Sequence, residues 1–107
     1  MTISSEKIDK KVWAWKIASP FSHSVEVNDQ LFLSGMPALD DAGEILDPND
    51  IAKQTRHVFE NMRTVLQRHG LDFKNLVRLN TYYVFDGNDE DATEYWESMT
   101  RVRLEYF

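Results

Sequence analysis

The 107-residue chain contains no cysteine. That absence excludes disulfides, a thiolate nucleophile and thiolate metal sites together, and it fits a reducing compartment. Glycine and proline are sparse, at four and three, and the glycines stand singly. No Gly-rich phosphate-binding loop can be built from them. No apolar run reaches the roughly 18 residues that a membrane-crossing helix needs. The opening Met1-Thr2-Ile3-Ser4-Ser5-Glu6-Lys7 lacks a basic region followed by an apolar stretch, so it does not read as a secretory signal. Basic residues are also few, 12 against 18 acidic, for a net charge of −6. A general polyanion binder needs the opposite balance, which makes nucleic acid a poor candidate partner. What remains reads as a soluble, cytoplasmic, globular protein. With 42% apolar and 28% charged residues it can build one core. The expectation is a single domain over residues 1–107, with a loose polar arm over 1–12.

Hydropathy patterning supplies the elements. Trp13 to Ile17 alternates and could form a short strand, broken by Ser19-Pro20. His23 to Ser34 reads as a hairpin. Val25 and Val27, then Leu31 and Leu33, are apolar at every second position, with Asn28-Asp29 as turn residues between them. From Asp40 to Asp50 the chain is acidic and turn-rich. Asn49 or Asp50 can cap a helix running to about His69. Its stripe is Ile51, Thr55, Val58, Phe59, Met62, Val65 and Leu66, and Gly70 suits the left-handed position just past its end. Residues 76–85 form the strongest strand pattern. A second helix is expected from 89 to about 105, with Ala92, Tyr95, Trp96, Met99, Val102 and Tyr106 on its apolar stripe. Asp89, Glu90 and Asp91 suit its positive end, and Arg101 and Arg103 its negative end. The order strand, hairpin, helix, strand, helix predicts an α+β fold, with a mixed sheet and both helices on one face.

Chemistry is harder to find. His57 and His69 lie twelve residues apart on one helix, about a third of a turn around its axis, and His23 is distant in sequence. No carboxylate stands at ligand spacing beside them, so no metal site is expected. Residues 86–97 superficially fit a calcium loop, but the glycine required at its sixth position is Asp91. A turn into a helix with an acidic first turn is the simpler reading. The carboxylates Asp40, Asp41, Glu44, Asp47 and Asp50 read as a solvated loop, because nothing apolar surrounds them to shift a pKa. There is no nucleophile elbow.

The order of several short motifs is more telling. Ser19-Pro20-Phe21-Ser22-His23-Ser24-Val25 resembles the Gly-Pro-Tyr-Ser-Gln-Ala-Val motif of the Rid (YjgF) family. Ser34-Gly35-Met36-Pro37, followed by Gly43-Glu44-Ile45, resembles that family's Ser-Gly-Gln-x-Pro segment and its Gly-containing loop. Gln54, Asn61, Leu66 and Gly70 follow its Gln-x6-Asn-x4-Leu-x3-Gly helix. Asn75 to Arg78 and Tyr83 to Asp86 resemble the next strand, and Tyr106-Phe107 the end of the second helix.

The resemblance implies a chorismate-mutase-like α+β fold and a homotrimer with a small-molecule pocket at each subunit interface. It implies hydrolysis of reactive enamines and imines to keto acid and ammonia, without a cofactor. Phe21, Ser34, Gly35 and Met36 are the implied substrate-binding residues. In the family an arginine holds the substrate carboxylate by a two-point contact. It belongs to a Pro-Ala-Arg segment followed by the last two strands, which are expected beyond Phe107, so no catalytic residue is assigned. Arg56, Arg63, Arg68 and Arg78 do not match that motif. Phe21 replaces the family tyrosine and Met36 its glutamine, making the pocket less polar. A non-catalytic trimeric metabolite-binding or regulatory protein is the alternative, and an RNA-cleaving translation inhibitor a third.

Overall fold

In a computed structural model, residues 3–7 and 22–107 are described. Three strands, β1 (Ile3–Lys7), β2 (Ser22–Val27) and β3 (Gln30–Leu33), form an antiparallel sheet in the order β1-β2-β3. Residues 3–7, expected within a loose arm, therefore pair with β2, from Ile3 opposite Val27 to Lys7 opposite Ser22. Trp13 to Ile17 lies outside the described residues.

The hairpin closes on Asn28-Asp29 as expected. Asn28 sits at φ 54°, a left-handed conformation that asparagine tolerates. The turn sets a register whose consequence is not visible in the alternation alone. Ser24 opposes Leu33 and Glu26 opposes Leu31, while Val25 opposes Phe32. Opposed residues share a face, so the two apolar pairs lie on opposite faces. Leu31 and Leu33 pack on the core, and Phe32 is exposed. Ser24 and Glu26 share the face of those leucines.

The first helix, α1 (Ile51–Arg68), starts where Asp50 Oδ1 accepts from the Lys53 amide at 3.0 Å. It ends in a Schellman motif. The amide of Gly70 donates to the Gln67 carbonyl at 3.1 Å and that of Leu71 to the Leu66 carbonyl at 2.9 Å. Gly70 carries the required positive φ of 71°. Thr55, Phe59, Met62, Val65 and Leu66 are buried on one face of α1, as the stripe predicts. The second helix, α2 (Asp89–Tyr106), buries Met99 and Val102 against it. Trp96, expected on its buried stripe, is 44% exposed and carries Arg103 over its ring.

Phe59, Met62, Leu66, Phe73 and Val102 form the core cluster, with Leu31, Leu33 and Met36 packed against it from the hairpin side. Each large side chain buried there contributes roughly 1.5–3 kcal/mol. Phe73 reaches the cluster from a short 3₁₀ turn, Phe73–Asn75, whose start is capped by Asp72. The apolar stripes do not reveal this turn.

The largest departure is at residues 76–85. This segment enters no ladder among the described residues. It instead follows α2. Tyr95 donates its hydroxyl to the Val84 carbonyl at 3.0 Å, and Arg103 donates to Thr81 Oγ1 at 3.0 Å. Tyr83 and Phe85 stack beside Tyr95, with ring centroids 5.6 and 4.9 Å apart. Val77, Tyr82 and Val84 are left exposed. A strand pattern states which side chains can share a face. It does not supply the partner whose backbone completes the hydrogen bonds.

Candidate functional site

Of the four expected substrate-binding residues, Phe21 lies outside the described residues. Ser34, Gly35 and Met36 follow directly on β3. Ser34 is half-buried, and two of its groups donate to one acceptor, the carbonyl oxygen of His23. Its amide lies 3.0 Å away and its hydroxyl 3.4 Å. Gly35 is exposed, and a Cβ there would meet nothing within 4 Å. Met36 is half-buried and turned onto the core cluster. The segment thus offers an open backbone step at Gly35, between a serine tied to β2 and an apolar anchor.

A polar cluster borders this segment. The register between β1 and β2 slips by one: Glu6 opposes Ser24 and Lys7 opposes Ser22, which leaves His23 as an extra residue on β2. Such a bulge re-aims side chains. Here it leaves two consecutive residues, His23 and Ser24, each only 1% exposed. His23 Nδ1 lies 3.1 Å from Ser24 Oγ, and His23 Nε2 lies 3.2 Å from Arg68 Nη1. Ser24 Oγ is also 3.4 Å from His69 Nε2, a long contact, and His69 Nδ1 is 4.0 Å from Glu26 Oε2. His57 stands apart, 2.9 Å from Asp47. The histidines therefore do not all face one site, but the fold brings His23 and His69 to the same serine. The signals available in the sequence are slight: His23 stands in the phase of the apolar Val25 and Val27, and Arg68-His69 immediately precedes the helix-ending glycine.

The acidic loop is used locally. Asp40 Oδ1 accepts from the amides of Ala42 and Glu44, each at 2.9 Å, while Asp50 caps α1 and Asp47 faces His57. Residues 86–88 lead into α2, and Asp89, Glu90 and Asp91 occupy its first turn. A cleft of about 310 Å³ lies between the starts of the two helices, lined by Asp50, Phe85, Asp91, Glu94 and Tyr95 among others. It includes none of Ser34, Gly35 and Met36. Burial pushes the Tyr95 phenol above its usual pKa, with Asp86 and Tyr83 adding to the effect. No described helix is long and apolar enough to cross a membrane.

Known proteins share both the sequence pattern and the fold. The chain is 31% identical to a RutC family protein of Pyrococcus abyssi over 106 residues, covering 98% of this chain and 72% of the relative. It is 30% identical to the 2-iminobutanoate/2-iminopropanoate deaminase of Mus musculus, over 65% of this chain and 51% of that protein. It is 28% identical to the 3-aminoacrylate deaminase RutC of Acinetobacter baylyi, over 83% and 65%. Yeast Mmf1 superposes with a TM-score of 0.66 at 18% identity, over 99% of this chain and 79% of that one. A Rid-family protein of Yersinia pestis, YyfA, does so with the same TM-score at 25% identity, over 99% and 76%. The profile of the family described as Endoribonuclease L-PSP matches residues 13–103. On these grounds the chain belongs to the Rid (YjgF) family, whose α+β fold it shares.

Proposed function

We propose that this protein hydrolyses reactive enamines and imines derived from amino acids, releasing a keto acid and ammonia. The observation that carries the reading is its similarity to two proteins named as deaminases of such compounds, those of M. musculus and A. baylyi. The chemistry asks little of the protein. Water adds to the electrophilic imine carbon, the C–N bond of the adduct breaks, and nitrogen leaves as ammonia while oxygen becomes the carbonyl. No electron is transferred, so the main contribution is positioning. Ser34, the open backbone at Gly35 and the side of Met36 supply one wall of the substrate site. The site lies between copies of the chain in a homotrimer. No arginine among Arg56, Arg63, Arg68 and Arg78 takes the part of the family's carboxylate clamp, so no residue is assigned a catalytic role.

A second reading, a non-catalytic metabolite-binding protein, draws on Met36. Its side chain packs on the core where the family motif has glutamine, which makes that corner apolar. RNA cleavage is disfavoured by the net charge of −6.

The test is ammonia release by the purified chain from enzymatically generated 2-aminoacrylate, with assembly followed by sedimentation. Acceleration over buffer by a trimer supports the deaminase. A folded trimer that gives no acceleration would reject it in favour of the binding role.

A further inference from the structure

The polar cluster on β2 has a direction. A guanidinium carries only donors, so in the Arg68–His23 contact at 3.2 Å the imidazole Nε2 is the acceptor. The ring proton is then on Nδ1, which donates to Ser24 Oγ at 3.1 Å. As an acceptor from His23, Ser24 Oγ keeps a proton that it can donate toward His69 Nε2, 3.4 Å away. One ordered chain thus runs from the end of α1 through the bulge on β2 and back to the residue that caps α1. The backbone of the same bulged residue holds the candidate site, because the Ser34 amide and hydroxyl both donate to the His23 carbonyl.

We propose that His23 and Ser24 are positioning residues, which lock the bulge of β2 to Arg68 and His69 and thereby fix where Ser34 and the open step at Gly35 stand. The burial of His23 and Ser24, 1% exposed each, supports this role. A buried polar pair is costly unless satisfied, and Arg68 and His69 at one helix end are among the partners that satisfy it. Neither side chain reaches solvent to touch a substrate. Their effect on the site passes through the His23 carbonyl.

The experiment is amide hydrogen exchange on the full chain, comparing wild type with Ser24→Ala and Arg68→Met. The Ser34 amide is expected to exchange about tenfold faster in both variants through local opening, while Val65 and Leu66 in the core of α1 keep their rates. His57→Gln, on the separate Asp47 contact, should leave Ser34 unchanged. If Ser34 keeps its wild-type rate in both variants, or speeds up only in step with Val65 and Leu66, the positioning role is wrong. A second arm rests on the deaminase reading: Ser24→Ala should raise KM for the imine several-fold with a smaller change in kcat. Wild-type protein that releases no ammonia would sink that reading alone. The exchange rates would still decide the positioning role.

Discussion

Tyr106, near the end of α2, donates its phenolic proton to Glu60 Oε1 on α1 at 2.7 Å. Arg63 donates to the same carboxylate oxygen at 3.1 Å, and its guanidinium lies over the Tyr106 ring at 4.8 Å. The helix pair is thus joined at one end by an ordered phenol. Arg56 and Glu105 add an ion pair on the surface, with Arg56 Nη2 2.8 Å from Glu105 Oε1.

That phenol should be the last to ionise. Burial first, then the Glu60 hydrogen bond and the Glu60 charge, push the Tyr106 pKa up to about 12. Arg63 and Arg56 oppose them weakly. A folded pKa above the ordinary value near 10 means that the fold favours the protonated phenol. Its stabilising effect is full below pH 10 and is lost as pH rises toward 12. Absorbance titration should show a tyrosine ionising near pH 12 that disappears in Tyr106→Phe, while the raised Tyr95 remains. A Tyr106→Phe titration curve identical to wild type would contradict the assignment.

Thr100 carries the opposite kind of polar group. Its hydroxyl is buried and has no hydrogen-bond partner among the described residues. Leaving such a group unpaired costs about 1–3 kcal/mol, whereas an apolar group of the same shape has no such cost. Thr100→Val should therefore be neutral or stabilising by about 1 kcal/mol, read as a higher denaturation midpoint in urea at unchanged m. A clear loss of stability would show that the hydroxyl has a partner.

Gly70 is required by its backbone. At φ 71° a Cβ would be strained although nothing stands within 4 Å of it. Gly70→Ala should cost about 1–2 kcal/mol, and Gly70→Asn less, because asparagine tolerates the left-handed region. Thermal or urea unfolding of both variants separates strain from packing. Equal losses would argue against conformation as the cause.

At the other end of α1, Asp50→Ala removes the oxygen that accepts from the Lys53 amide. A loss of about 0.5–2 kcal/mol is expected, with Asp50→Ser recovering most of it. Urea denaturation of the two variants checks both values. Failure of serine to restore stability would point to some other role for the carboxylate.

Much of this protein follows from the order of its residues alone. The two helices, the Asp50 cap of the first, the left-handed glycine and the turn at Asn28-Asp29 all rest on contacts within a few residues. Such contacts are legible in a linear pattern, because a helix makes its hydrogen bonds to its own fourth neighbour. The ordered motifs that mark the Rid family are of the same local kind, and with them Ser34, Gly35 and Met36 as site candidates. Only the tertiary structure decided the rest. Residues 76–85 have the alternation of a strand, yet the described chain offers them no partner and they pack along α2. Val25 and Leu33 look equivalent in sequence, and a two-residue turn sends them to opposite faces. A single extra residue on β2 brings His23 to Arg68 and Ser24 to His69, 45 positions away in each case. These are choices of register and pairing between distant segments, and each depends on backbone groups that no local pattern specifies.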